Sequence, residues 1–398
     1  MRYFLRLQFA LPAVFIFFST AHAADDFTAI NPDEKTGTAS AVVVNDAALV
    51  HTEMILPDKT ELPLRNQALL VLNQLKATLQ SAGSDLNQLV KLNVYVSKDE
   101  YAETVMALFG HSFKSEKRPV AVMLVTSPLP DPKALVAVDA VATVSKKTEF
   151  TKVDRTAKSG RKSGVAILPR GPVVYISGMA SRSKDLETAT RETMQQLHGV
   201  LDFLGLNATD VIQVKAFMQP IDQAAVVKRV VGEFHQGAVP PPVTYMEWIA
   251  GVPTEIELIA WAKNAKQIPE LKSGVTHLWP PGQKASPVFS RLAVVTAKKR
   301  IYISGLTSRT KTDPAGQVAD IFENLKSVLS KSGSDLRHMA KATYYVSADD
   351  VSGELNTIRP KVYDPKRPPA ASKAMIGSVG QPGRTISIDM IAVPVDRE

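Results

Sequence analysis

The chain has 398 residues, is 45 % hydrophobic and 22 % charged, and contains 21 glycines, 26 prolines and a formal charge of +8. This composition excludes collagen-like, coiled-coil and wholly disordered classes and leaves room for several domains with cores of their own. Cysteine is absent, which excludes disulfides, thiolate nucleophiles and cysteine-based metal sites.

The first element is a leader. Arg2 and Arg6 precede an apolar run from Phe9 to Phe18 and the small-x-small site Ala21-His22-Ala23, the pattern of a signal peptide over residues 1–23. The run is short for a membrane span. The expectation is an exported protein, periplasmic or extracellular, that starts near Ala24 and has no membrane attachment once the leader is removed. Losing Arg2 and Arg6 leaves +6, too modest to mark a nucleic-acid binder.

Internal repetition dominates the remainder. Ser81–Val96, Phe203–Met218 and Lys331–Val346 are versions of one segment, with Gly83, Gly205 and Gly333 spaced 122 and 128 residues apart. Before each glycine, apolar residues recur in steps of 3 and 4: Leu72, Leu75 and Leu79; Met194, Leu197 and Leu201; Phe322, Leu325 and Leu329. That spacing predicts one face of a helix, with the glycine as its C-terminal cap. After the glycine the period drops to 2, through Val94 and Val96, Ala216 and Met218, and Tyr344 and Val346, which predicts a strand.

A second helical pattern ends near Phe113, Phe234 and Tyr363, followed by proline turns at Arg118-Pro119, Pro240–Pro242 and Arg367–Pro369. Each copy closes with a strand bearing an acid three residues before an alanine: Asp139, Glu257 and Asp389. Upstream, Tyr175–Arg182 and Tyr302–Arg309 share Tyr-Ile-Ser-Gly, whereas copy one reads Val50–Met54. The domains expected are 24–147, 164–266 and 274–398. Residues 148–163 are expected to form a basic, solvated linker, and a shorter join lies near Asn264–Ser273.

This ordered set of motifs resembles the RidA (YjgF, L-PSP endoribonuclease) family, three times over and across nearly all of the mature chain. The resemblance implies an α+β fold of three tandem RidA-like (chorismate mutase-like) domains, each a mixed sheet with two helices on one face. It further implies an intramolecular pseudo-trimer around a central barrel, with small-molecule clefts between neighbouring domains. The family's reaction is hydrolysis of enamines and imines such as 2-aminoacrylate to a keto acid and ammonia. Some relatives only bind ligands, and a ribonuclease activity is attached to the older name.

In deaminating members an arginine two residues after the proline of Pro-Ala-Arg-Ser holds the substrate carboxylate. The matching positions here are Ala121, Val243 and Ser372 (the last subject to a shift of one or two residues), and none is arginine. Lys373 is the nearest cation in copy three, either a solvated strand lysine or a cleft residue. The resemblance assigns Glu255 to the acid that orients water and Asn356 to the asparagine of the second helix. The residues at the Glu255 position in the other copies are Ala137 and Ser387. Phe289 matches a cleft tyrosine without its hydroxyl. Tyr245 shares a strand face with Glu247, and Ser177-Gly178 and Ser304-Gly305 complete the substrate-binding candidates. A solvent-facing Glu255, a core Phe289 and a merely polar Asn356 are the structural alternatives.

The seven histidines show no metal-ligand spacing, and no nucleotide-binding or hydrolase motif appears; neither a metal nor a cofactor is expected. Phe289, Arg291, Lys298, Lys299, Arg300 and Tyr302 could touch RNA, but they alternate as an ordinary hairpin does, so nucleic acid is not the expected partner. Three readings stay open. The first is a protein binding a small imino or keto acid in inter-domain clefts, with enamine or imine deaminase activity if enzymatic. The second is a non-catalytic ligand- or partner-binding protein. The third is a ribonuclease, for which no acid–base pair is evident.

Overall fold

A computed structural model describes residues 27–115, 119–144, 149–155, 164–235, 238–266 and 274–395. The leader at 1–23, the second half of the basic linker and most of the second join lie outside the described residues. The first unit runs β1 (Phe27–Asp33), β2 (Thr38–Val44), β3 (Leu49–Thr52), α1 (Leu64–Ser81), β4 (Leu89–Val96), α2 (Ala102–Ser115), β5 (Val120–Thr126) and β6 (Val136–Thr143). The second has β7 (Val165–Leu168), β8 (Val173–Met179), α3 (Leu186–Leu204), β9 (Val211–Met218), α4 (Ala224–Glu233), β10 (Val243–Glu247) and β11 (Thr254–Trp261). The third has β12 (Val275–Leu278), β13 (Leu292–Val295), β14 (Arg300–Ile303), α5 (Pro314–Lys331), β15 (Met339–Val346), α6 (Asp349–Val362), β16 (Ala370–Met375) and β17 (Ile386–Ala392).

The long helices α1, α3 and α5 form where the 3–4 spacing predicts them, and all nine of the apolar residues named above are buried. Gly83, Gly205 and Gly333 have φ of 78°, 70° and 73°. An L side chain is costly in that left-handed region, which is why glycine ends each helix. Within a unit the strand after the glycine pairs in parallel with the strand after the proline turn and antiparallel with the closing strand. The helices cover one face of this mixed sheet, an α+β arrangement.

Each unit also gives a strand from its N-terminal part to a neighbour. β2 of the first unit pairs with β14 of the third, β7 of the second with β3 of the first, and β13 of the third with β8 of the second. Further bonds link the two sheets: Ser290 bridges Ala370 in parallel, and Met54 N–H donates to Val243 O at 3.1 Å. The three units are thus joined head to tail in a closed sequence of strand contacts. An apolar cluster drawn from all three, including Val42, Val141, Tyr175, Ile259, Tyr302 and Ala340, fills the inner face.

The linker departs from the solvated reading at Arg155. Its side chain is 6 % exposed, and its guanidinium donates to the carbonyls of Ala208 at 2.7 Å, Val239 at 2.9 Å and Val211. Carbonyls left over where a 3-10 turn gives way to β9 need donors, and the arginine supplies them. The suggested RNA patch dissolves for a similar reason, since Arg300 and Tyr302 are 1 % and 2 % exposed. They point along β14 into the interior. Among the described residues no helix is long and apolar enough to cross a membrane.

Candidate functional site

Strand exchange creates three junctions, where the ends of β3, β8 and β14 meet the parallel strands β10, β16 and β5 of the next unit. Equivalent positions follow from the pairing. Glu53, Ser177 and Ser304 correspond, as do Met54, Gly178 and Gly305. On the facing strand Leu124, Tyr245 and Lys373 correspond. The same register corrects the arginine position to Ala121, Pro242 and Ala370. Val243 and Ser372 lie one and two residues further on, because the proline turns differ in length.

The junction of the second and third units holds most of the candidates. Ser177, Gly178 and Glu255 come from the second unit; Phe289, Arg291, Asn356 and Lys373 come from the third. Glu255 is partly exposed as a residue, yet its Oε1 is buried without a hydrogen-bond partner. A Cβ placed on Gly178 would lie 2.1 Å from that oxygen and 2.6 Å from Ser372 Oγ. Glycine is therefore required for the carboxyl to pack here. Burial, and then the neighbouring Glu257, push the Glu255 carboxyl up to about 7, against the pull of Ser372, Arg291 and Lys373. Such a group holds and releases a proton near neutrality.

Two cations face it. Arg291 Nε donates to Gln283 Oε1 at 2.8 Å and Nη1 to Gly178 O at 3.3 Å, and its guanidinium lies 5.6 Å from the Phe289 ring centre. Lys373 Nζ donates to Ser352 Oγ at 2.9 Å and Asn356 Oδ1 at 3.3 Å, while Arg359 Nη2 donates to the same Asn356 oxygen at 2.9 Å. Burial lowers the Arg291 and Lys373 pKa values. Neither residue makes an ion pair within 4 Å among the described residues. Lys373 is accordingly half-buried against α6 instead of solvated, and Phe289 is half-buried beside Arg291 instead of in the core.

Arg291 was not among the binding candidates of the sequence. It lies just before β13, and the corresponding residues in the other units are Ser40 and Gly164. Its place opposite Gly178 exists only because β13 crosses to the second unit. A basic residue present in one copy alone was the available signal.

Ser177 and Ser304 also hold strands together. Ser177 Oγ donates to Ser290 O at 2.6 Å and accepts from Ala371 N–H at 2.7 Å. Ser304 Oγ donates to Ala39 O at 2.6 Å and accepts from Val122 N–H at 2.9 Å. Each hydroxyl clamps two strands of the next unit, leaving little capacity for a ligand. Tyr245 stands apart at the first–second junction, buried in a cluster with Met54 and Ala137, its hydroxyl unpartnered. Met54 occupies the glycine position there, Ala137 stands in place of Glu255, and the acid whose charge reaches Tyr245 is Glu53, which pairs with Lys228 at 3.2 Å. Ser304 and Gly305 line the third–first junction, a cleft of about 740 Å³ bordered by Asp33, Asp99, Glu103, Met106, Leu124 and Arg309. Ser387 and Leu124 replace Glu255 and Lys373 in it.

Comparison with known proteins finds one family three times along the chain. The family described as Endoribonuclease L-PSP matches residues 51–144, 161–262 and 283–394. Among solved structures, the Rid protein YyfB from Yersinia pestis is 22 % identical, with a TM-score of 0.28, covering 30 % of this chain and 100 % of its own. RidA from an Antarctic Psychrobacter is 20 % identical, with a TM-score of 0.22, covering 24 % of this chain and 80 % of its own. A putative endoribonuclease from Thermotoga maritima is 24 % identical, with a TM-score of 0.22, covering 24 % and 78 %. None of the curated proteins matches the chain. With the family match recurring in all three units and spanning well over half of the residues, the chain belongs to the L-PSP endoribonuclease (YjgF/RidA) family.

Proposed function

We propose that the junction of the second and third units binds a small imino or keto acid and hydrolyses the imine to a keto acid and ammonia. The observation that carries this reading is Glu255, a carboxyl with a buried, unpartnered oxygen and a pKa raised to about 7, flanked by two cations that make no ion pair within 4 Å among the described residues. Arg291 and Lys373 attract the substrate carboxylate, and Arg291 presents a planar donor edge suited to it. With the imine protonated at nitrogen, Glu255 as carboxylate takes a proton from the attacking water as the C–O bond forms and the C=N π pair passes to nitrogen, giving a neutral carbinolamine. Glu255 then gives that proton to the amino nitrogen, the C–N bond breaks with release of ammonia, and the carbinol O–H proton passes to the Glu255 carboxylate as the keto C=O forms. Asn356 positions Lys373.

The ring of three units serves, in this reading, as a single-chain counterpart of a trimer in which only one junction keeps the acid and the cations. The leader at 1–23 directs the protein out of the cytoplasm. Keto-acid and ammonia release from freshly generated 2-aminoacrylate tests the activity. The wild type should exceed the uncatalysed rate, with an inflection in its pH profile near 7, and Glu255→Gln should lower the rate by about a hundredfold. A well-folded wild type no faster than the control would overturn hydrolysis of this substrate. The missing arginine at Ala370 would then favour a binding protein.

A further inference from the structure

The interior of the ring is balanced in charge. Lys91 of the first unit pairs with Asp389 of the third at 2.7 Å, and Lys341 of the third with Glu257 of the second at 2.8 Å. Lys215, which donates to Tyr345 OH at 2.6 Å, and Asp139, which accepts from Tyr95 OH at 2.6 Å, complete three lysines and three carboxylates around a space of about 60 Å³. The third–first cleft is not balanced. Four carboxylates line it, Asp33 at the end of β1 and Asp99, Glu100 and Glu103 at the start of α2 and the turn before it. Arg309 is the one lining cation among the described residues. Glu100 has Lys98 at 3.7 Å, while Asp33, Asp99 and Glu103 make no ion pair within 4 Å among the described residues. Acids in the first turn of a helix complement its dipole, which accounts for those of α2 but not for Asp33 on a strand.

The same walls carry an apolar surface from Met106, Leu124 and Leu306. Ser387 lines the cleft with them at 1 % exposure, and its hydroxyl makes no hydrogen bond to a described residue. A buried hydroxyl needs a partner, and one that lines a cavity finds it in whatever fills the cavity. Among the described residues no three acidic or histidine side chains are grouped to hold a metal ion. The carboxylates are thus spread around an apolar surface, which suits an aliphatic chain with separated ammonium groups and not a point ion. At about 740 Å³ the cleft has the size of a small-molecule site. Its charge is also opposite to that of the second–third junction, since Ser40 and Leu124 stand where that junction has Arg291 and Lys373. A carboxylate ligand is repelled here.

We propose that the third–first cleft binds a small aliphatic diamine, with its methylene chain on Met106, Leu124 and Leu306, its ammonium groups among Asp33, Asp99 and Glu103, and Ser387 accepting from one of them. This site is separate from the proposed reaction in place and in ligand, and neither depends on the other.

Isothermal titration calorimetry of 1,4-diaminobutane into the mature protein tests it without any turnover. The expected result is one site per chain, about fivefold tighter than for 1-aminobutane and weakened by added sodium chloride. Asp99→Asn with Glu103→Gln should lower the affinity about fivefold, and Ser387→Ala about threefold. Asp99 and Glu103 are exposed, so the double variant should keep the wild-type circular dichroism spectrum, and the comparison of the two amines needs no variant. No saturable binding of the diamine, an affinity no greater than that of 1-aminobutane, or an affinity unchanged in the folded double variant would each overturn the proposal.

Discussion

A single missing Cβ sets the chemistry of the second–third junction. Gly178→Ala would place a methyl 2.1 Å from Glu255 Oε1, and the atom that must yield is the far end of a flexible side chain. The cost therefore falls on the placement of the carboxyl more than on the fold. Turnover of 2-aminoacrylate should drop at least tenfold, with a stability loss of about 1 kcal/mol in urea denaturation. Gly178→Ala with Glu255→Ala should recover the stability but not the activity. The first unit already has that solution, with Met54 filling the glycine position opposite Ala137. Glu255 also marks the pH dependence. Its folded pKa of about 7 lies above the ordinary value of 4.5, so the folded state retains the proton longer. The stability it contributes is complete below pH 4.5 and declines as pH rises through 7. Glu255→Gln should lack that decline.

At the scale of elements, the inner ion pairs connect strands of different units, and their worth lies in not being broken. Lys341→Met leaves the Glu257 carboxylate, 3 % exposed, with a Ser372 hydroxyl at 2.8 Å as its remaining close partner. A loss of about 3–5 kcal/mol is expected, read as a lower urea midpoint. Lys341→Met with Glu257→Leu should restore most of it, because removing both charges also removes their desolvation. An unchanged midpoint in the single variant would show that the pair carries no net coupling. The sequence made the helices and their caps legible because spacing and left-handed glycines are local properties. Glu255, Asn356, Phe289 and Lys373 were legible as candidates from the motifs alone. Their convergence with Arg291, and the inner cluster around Lys215, were not. Those groups meet only after β13 and β2 cross to neighbouring units, and no period along the chain encodes which strand a crossing segment joins. The arginine register failed for a smaller reason: turns of unequal length hid the strand start until the Lys341–Ala370 pairing fixed it.

For the molecule as a whole, strand exchange couples the stability of the three units. Unfolding the second removes β7 from β3 and strips β13 of its partner β8, baring backbone donors and acceptors in both neighbours. It also exposes the shared inner face, where Ile259 and Tyr175 pack with residues of the first and third units. Partial unfolding therefore carries a cost at two junctions at once, so no unit should melt ahead of the others. The tryptophans offer a direct measure: Trp248 and Trp261 report the second unit and Trp279 the third, while far-ultraviolet circular dichroism reports all three. The urea curves from the two probes should coincide in one transition. Deleting residues 24–44, which removes β1 and β2 and leaves β14 without its partner from the first unit, should lower the midpoint for both probes together. Separate transitions, or a deletion felt only in circular dichroism, would mean that the units fold independently and that the ring is held by their packing alone.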